Sequence, residues 1–162
     1  MLFCGQDKCL IDANGRVKLS PRFLSDFLQS GVNIVMHCQP EGTLGVYPER
    51  IWAQMRQSEA RPALKAAQSV VFRRQLRRFG AMTQAESISK QGRITIPSPF
   101  RSLLELEPSQ EIVLVGCEIG MEIWNSERWQ REFQLLAEHE LKKAKAEMAA
   151  DLVTPLLDND RE

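Results

Sequence analysis

The 162-residue chain is poor in the residues that carry covalent chemistry: two histidines, one tyrosine and four cysteines. His37 and His139 stand in unlike contexts with no ligand spacing, and Cys4, Cys9, Cys38 and Cys117 form no C-x-x-C pair. Neutral thiols are therefore expected, with no metal and no cofactor. The G-x-S-x-G elbow, the Walker loop, the Rossmann fingerprint and the H-E-x-x-H helix are all missing, so an enzyme is not expected. No stretch approaches the roughly 20 consecutive apolar residues that span a bilayer. Met1–Gly5 is not a basic segment leading into an apolar one, so neither a signal peptide nor a membrane partner is expected, and the predicted location is the cytoplasm.

Net charge is missing too. Lys plus Arg number 21, as do Asp plus Glu, which argues against tight nucleic-acid binding by a single chain. The charges are nevertheless segregated. Residues 1–60 carry six basic and six acidic side chains, 61–101 carry nine and one, and 102–162 carry six and fourteen. The middle segment is thus +8 and the last −8, so a basic face can coexist with a zero total. A hydrophobic share of 43% is enough for a core.

What the chain does have is a repeated sentence. Ser89-Lys90-Gln91-Gly92-Arg93-Ile94-Thr95-Ile96-Pro97 reads as a polar turn, a Gly-Arg pair and an alternating strand closed by proline. Gly92 permits the positive φ such a turn needs, and Arg93 then stands at the turn end of a sheet. Ser98 and Pro99 read as N-cap and first residue of a helix. Asp12-Ala13-Asn14-Gly15-Arg16-Val17-Lys18-Leu19 says the same 77 residues earlier, with Ser20-Pro21 in the capping place. At that spacing Ile11 matches Ile88, Phe23 matches Phe100, Tyr47 falls on Trp124 and Trp52 matches Trp129. Twelve identities fall in the ungapped overlay, against about five by chance. The shared order of turn, strand, helix, strands, aromatic and helix is the stronger sign of duplication.

Around the turns the pattern predicts two short strands in Phe3–Asp12, and a helix carrying Phe23, Leu24, Phe27 and Leu28 that ends at Gly31. Strands are expected over Asn33–Cys38 and Leu44–Tyr47, then a helix from Pro48 and one continuous helix from about Ala63 to Phe79. The second half retraces this path. A short helix bearing Leu103, Leu104 and Leu106 should end at Pro108. Strands Ile112–Val115 and Met121–Trp124 follow, then a long helix from Ser126 to about Leu152. Thr154–Glu162 reads as a disordered acidic tail.

This succession resembles the MraZ family, whose repeats belong to the AbrB/SpoVT superfamily of swapped-hairpin barrels. The most specific stretch after the two turns is Ile112-Val113-Leu114-Val115-Gly116 through Met121-Glu122-Ile123-Trp124-Asn125 to Trp129. One departure stands out: Ser89 where the family carries Asp. The resemblance implies an α+β fold of two tandem AbrB/SpoVT-like half-barrels (small β-barrels of the double-psi or swapped-hairpin type) with flanking helices. Its expected divisions are a first repeat at 1–60, a basic connecting helix at 61–80, a second repeat at 81–137, and a helix end with acidic tail at 138–162. It further implies a nucleoid-associated regulator that binds repeated promoter boxes on double-stranded DNA, upstream of division and cell-wall genes, as a ring-like homo-oligomer. Arg16 and Arg93 are the expected DNA readers, with Lys18, Arg22, Lys90 and Arg101 supporting or contacting phosphate. Asp12, Gly15 and Gly92 set the turns.

Each of these features has a plainer alternative. Arg16 and Arg93 can brace their own turns, Asp12 being placed to pair with Arg16. The Arg73-Arg74 and Arg77-Arg78 pairs are either a solvated helix face or a phosphate surface. Tyr47, Trp52, Trp124 and Trp129 read as core or subunit interface before base-stacking groups. The whole chain can also be an oligomeric barrel scaffold without DNA recognition.

Overall fold

Alternating apolar positions and glycine-marked turns produce eight strands and six helices among the residues that the computed structural model describes, 1–57 and 60–157. In chain order they are β1 (Gln6–Leu10), β2 (Arg16–Lys18), α1 (Pro21–Leu28), β3 (Asn33–Cys38), β4 (Leu44–Pro48), α2 (Glu49–Arg56), α3 (Pro62–Gln68) and α4 (Val70–Ala81). They continue with β5 (Thr83–Ser87), β6 (Arg93–Thr95), α5 (Ser98–Leu104), β7 (Glu111–Gly116), β8 (Met121–Asn125) and α6 (Ser126–Leu157). The chain divides into two units, Met1–Ser126 and Glu127–Glu162.

All strands lie in the first unit. Six form one antiparallel sheet in the order β1-β7-β8-β4-β3-β5, and β2 pairs with β6 as a separate ribbon. The 77-residue offset maps β1 on β5, β2 on β6, β3 on β7 and β4 on β8. The sheet order is therefore the same read from either end after exchanging repeats. Each repeat keeps its own hairpin, β3–β4 or β7–β8, and lends its first strand to the other: β1 pairs with β7, β5 with β3. This is a mixed α+β fold with tandem AbrB-like halves. The halves are exchanged rather than closed singly, and the sheets do not close into a full barrel.

The core runs between sheet and ribbon. Val17 and Ile94, directly opposite in the ribbon, are buried together with Leu19 and Ile96. Ile34, Met36, Leu44, Val46, Ile112, Leu114, Met121 and Ile123 fill the sheet side, and Phe23, Phe27, Phe100 and Leu104 complete it from α1 and α5. Burying a large apolar side chain stabilises by roughly 1.5–3 kcal/mol, so period-two alternation suffices to hold both strands of a three-residue ribbon in register.

Several expectations are corrected. The first strand is single. Phe3 has φ 48°, its amide donates to Asp26 Oδ2 at 2.8 Å, its carbonyl accepts the Glu118 amide at 3.0 Å, and its ring packs edge-on to Phe27 at 4.7 Å. Phe3 is thus anchored as a plug, and strand pairing starts after Gly5. The connecting helix breaks at Ser69, whose extended backbone (φ −130°, ψ 118°) and Oγ cap α4 by accepting the Phe72 amide at 3.1 Å. A serine whose hydroxyl competes for the backbone prefers a cap to a helix interior. Pro97 rather than Ser98 holds the N-cap of α5, which ends at a left-handed Glu105 (φ 54°), so Leu106 is buried beyond the helix. In the tail, residues 154–157 continue α6, and 158–162 lie outside the described residues. No described helix is long and apolar enough to cross a membrane.

Candidate nucleic-acid interface

The two Gly-Arg turns share one geometry. Gly15 and Gly92 have φ 74° and 72°. The Gly15 amide donates to the Asp12 carbonyl at 3.0 Å and the Gly92 amide to the Ser89 carbonyl at 2.9 Å. Asp12 Oδ1 accepts the Arg16 amide at 2.9 Å, and Ser89 Oγ accepts the Arg93 amide at 3.1 Å. A hydroxyl replaces a carboxylate oxygen here because both present an acceptor at the same reach. The turn fold therefore survives the change from Asp to Ser.

The charge does not survive it. Asp12 also accepts the Asn14 amide at 2.9 Å and the Arg16 Nε at 2.9 Å. Its carboxyl is held below the ordinary value, chiefly by the Arg16 amide, with the Arg16 guanidinium and the Asn14 amide adding to the effect. Arg93 has no carboxylate within ion-pair distance among the described residues. Arg16 is braced, whereas Arg93 carries an uncompensated charge.

The ribbon brings the turns together. Antiparallel pairing sets Arg16 opposite Thr95 and Lys18 opposite Arg93. With Val17 and Ile94 pointing inward, Arg16, Lys18, Arg93 and Thr95 share the outer face. The Leu19 amide donates to the Gly92 carbonyl at 3.0 Å and the Ile96 amide to the Gly15 carbonyl at 2.9 Å, so each turn is tied to the far end of the other repeat's strand. Lys18 Nζ donates to the Gln91 carbonyl in the second turn.

The remaining expected contacts are less uniform. Lys90 is exposed in the second turn. Arg101, from α5, lies against the first turn: a Cβ built on Gly15 would sit 2.5 Å from its Cζ. Arg22 is engaged elsewhere, bonding Asp7 Oδ1 at 2.6 Å, Asp7 Oδ2 at 3.2 Å and the Gln6 carbonyl at 2.9 Å. The signal for that pairing was an isolated Asp7 on β1, whose partner strand could not be read from spacing. Arg74, Arg77 and Arg78 of α4 are exposed, while Arg73 donates to the Ala66 carbonyl at 2.8 Å.

A second cluster, unforeseen from spacing, joins β3, α2 and α4. The His37 ring stacks on Phe79 at 4.7 Å and leans on Trp52 at 5.2 Å, and Arg56 sits 4.2 Å over Phe79. His37 Nδ1 and Thr83 Oγ1 are 2.8 Å apart. Burial, then the charges of Arg78 and Arg56, pushes the His37 pKa down. A neutral imidazole inside an aromatic stack is a packing element. Tyr47 and Trp124 are likewise buried. Among the described residues no group of three His, Cys, Asp or Glu is placed to hold a metal.

Two exchanged Gly-Arg repeats displaying cations on one short ribbon define the chain as a tandem AbrB-like protein. Residues 81–152 match the family model described as "MraZ protein, putative antitoxin-like". The chain is 35% identical over 143 residues to "Transcriptional regulator MraZ" of Desulforapulum autotrophicum, covering 88% of this chain and 92% of that one. It is 32% identical over 129 residues to the protein of the same name from Moorella thermoacetica, covering 80% and 85%. With that of Lachnoclostridium phytofermentans it shares 34% over 131 residues, again covering 80% and 85%. The chain belongs to the MraZ family, whose members here are named as regulators and not as enzymes.

Proposed function

We propose that the chain is a sequence-specific, DNA-binding transcriptional regulator of the cytoplasm and nucleoid, acting on repeated boxes upstream of division and cell-wall genes through a ring-like homo-oligomer. The observation that carries this reading is the shared outer face of the ribbon, where two turns place Arg16, Lys18 and Arg93 side by side. Arginines there suit both phosphate contact and base-edge recognition. One protomer offers few such contacts, which matches its zero net charge. Several protomers on spaced boxes raise the effective concentration of each later contact.

Self-association is supported by exposed apolar side chains on α6, among them Phe133, Leu135, Leu136 and Leu141. A higher oligomer is expected at micromolar concentration. Light scattering that finds only the 18.5 kDa monomer would count against it.

The test of the whole reading is a mobility shift on the DNA upstream of the protein's own gene, with one, two or three candidate boxes at two salt concentrations. Log affinity should fall with log salt at about −0.9 per contacted phosphate. Multiple boxes should bind more tightly and with a steeper slope. If one box binds as tightly and as steeply as three, multivalency is wrong. If scrambled DNA binds equally well, recognition of sequence is wrong. A scaffold without DNA recognition is the second reading, favoured by the Asp12 carboxylate that neutralises Arg16; oligomerisation without any mobility shift would support it.

A further inference from the structure

The two turns are alike in backbone but are covered by unlike side chains, each delivered by the opposite repeat. A Cβ on Gly15 would collide with the guanidinium of Arg101, 2.5 Å from Cζ and 2.9 Å from Nε. A Cβ on Gly92 would instead meet the Leu24 side chain, 2.8 Å from Cδ2. Leu24 and Arg101 are 77 residues apart and so occupy equivalent places in their repeats. The exchange of repeats swaps these covers: α5 caps the first turn and α1 the second.

Arg101 is an unusual cover. Its Nε is buried without a hydrogen-bond partner, and no carboxylate pairs with it among the described residues. The nearest turn carboxylate, Asp12, is already committed to the Arg16 side chain and to two amides. A guanidinium set against a backbone turn, with its charge unbalanced, is an anion-receiving arrangement. At the second turn the corresponding space is apolar, and Lys18 from the other strand supplies the ammonium.

Resting on the DNA-binding reading above, we infer that the turns are two different half-sites. The first is a phosphate clamp in which Arg101, supplied by the second repeat, joins Arg16. The second is a weaker phosphate site in which Leu24 lies against Gly92, beside the uncompensated Arg93 in the chain, and makes the turn suited to a base edge or a thymine methyl. Arg101 is thus a specificity-determining residue that assigns the first turn to backbone contact, and Leu24, together with Ser89 in the place of Asp12, keeps the second turn from being the same.

The test exchanges the covers in the full-length chain. Arg101→Leu installs the side chain that the symmetric position already tolerates, and Leu24→Arg does the reverse. On duplex DNA from the upstream region, Arg101→Leu should flatten the salt slope by about 0.9 per engaged first turn, so that the affinity lost between 50 and 200 mM salt shrinks about threefold. Leu24→Arg should steepen it by a similar amount and relax sequence preference. An unchanged slope in Arg101→Leu overturns the inference. Should the wild type bind no DNA, the regulator reading fails, and a titration with inorganic phosphate followed by amide NMR decides the clamp separately. Shifts should concentrate at Asn14–Arg16, exceed those at Gln91–Arg93, and vanish in Arg101→Leu. Equal shifts at both turns, shifts that persist in Arg101→Leu, or no shift at either turn refute it. Gly15→Ala and Gly92→Ala impose the same backbone strain, the φ values being 74° and 72°, so any difference between their slopes reads Arg101 against Leu24; the clamp requires Gly15→Ala to lose more.

Discussion

Lys18 stands directly across the ribbon from Arg93, and its ammonium reaches the carbonyl of Gln91 in the same turn. A first-repeat cation therefore serves the second-repeat turn. The consequence for mutagenesis is that effects follow the turn a side chain adjoins, not the repeat that encodes it.

The arginines should not be equivalent. Asp12 fixes Arg16 with a 2.9 Å charge-assisted bond, whereas Ser89 gives Arg93 only a backbone contact. A braced guanidinium loses less freedom on binding. Arg16→Ala is expected to lower affinity for the duplex by more than Arg93→Ala, by roughly a few-fold to tenfold if one charge-assisted contact of about 1.5–3 kcal/mol is partly lost. Fluorescence anisotropy on one duplex settles it; an equal or larger loss at Arg93 contradicts the bracing argument.

Acid should open the first turn before it disturbs the second. Asp12 titrates below its ordinary 3.8 because its charged form accepts bonds from Arg16 and Asn14. A carboxyl with a depressed folded pKa adds stability that is complete above its unfolded pKa and disappears as pH falls through the folded value. Amide shifts of Asn14 and Arg16 should therefore move together with a midpoint below the ordinary 3.8, and Asp12→Asn should abolish that transition. A midpoint at or above the ordinary value would show that the bonds do not hold the charge.

The ribbon is short, so its inward residues matter disproportionately. Ile94 is 1% exposed and lies opposite Val17. Ile94→Ala should cost about 2–5 kcal/mol, measured by urea unfolding, and Thr95→Ala on the outer face much less. Similar losses at both positions would mean that the ribbon does not cover the core.

Three thiols should be poor nucleophiles near neutral pH. Burial raises Cys9 and Cys38 to about 11, and burial with the Glu122 charge raises Cys117 to about 12. A thiol-reactive probe at pH 7.5 should modify them fully only on unfolding, since the thiolate is the reactive form. Rapid modification of Cys38 in the native protein would contradict its burial.

Much of this was readable in the residues. Alternation placed β3, β4, β7 and β8 nearly to the residue, and the Gly-Arg pairs placed both turns, because a positive φ after a polar run has few other encodings. What could not be read is anything settled by a distant partner. Asp7 captures Arg22 because β1 passes α1 in space, Ser69 breaks a helix that periodicity drew as continuous, and Arg101 covers a turn 86 residues earlier, at Gly15. Spacing reports the repeat; it does not report that the repeats trade strands.

That trade has a consequence during synthesis. A ribosome that has delivered residues 1–80 has delivered β1 without its partner, which is residues 111–116, and β3 with one edge open, since that edge waits for β5. The half β4-β3-β5 can pair once residue 87 has emerged, but the half that holds β1 cannot form until residues 111–125 follow. The first strand, β1, must stay unlatched until β7 emerges, and pairings of such long sequence separation form slowly. Two nascent chains on neighbouring ribosomes each hold a free β1, which the 77-residue offset makes the equivalent of the β5 that the other's β3 awaits. The same exchange that joins two turns into one ribbon thus leaves an interval in which the edge of β3 is open to a strand from another copy before the chain's own arrives.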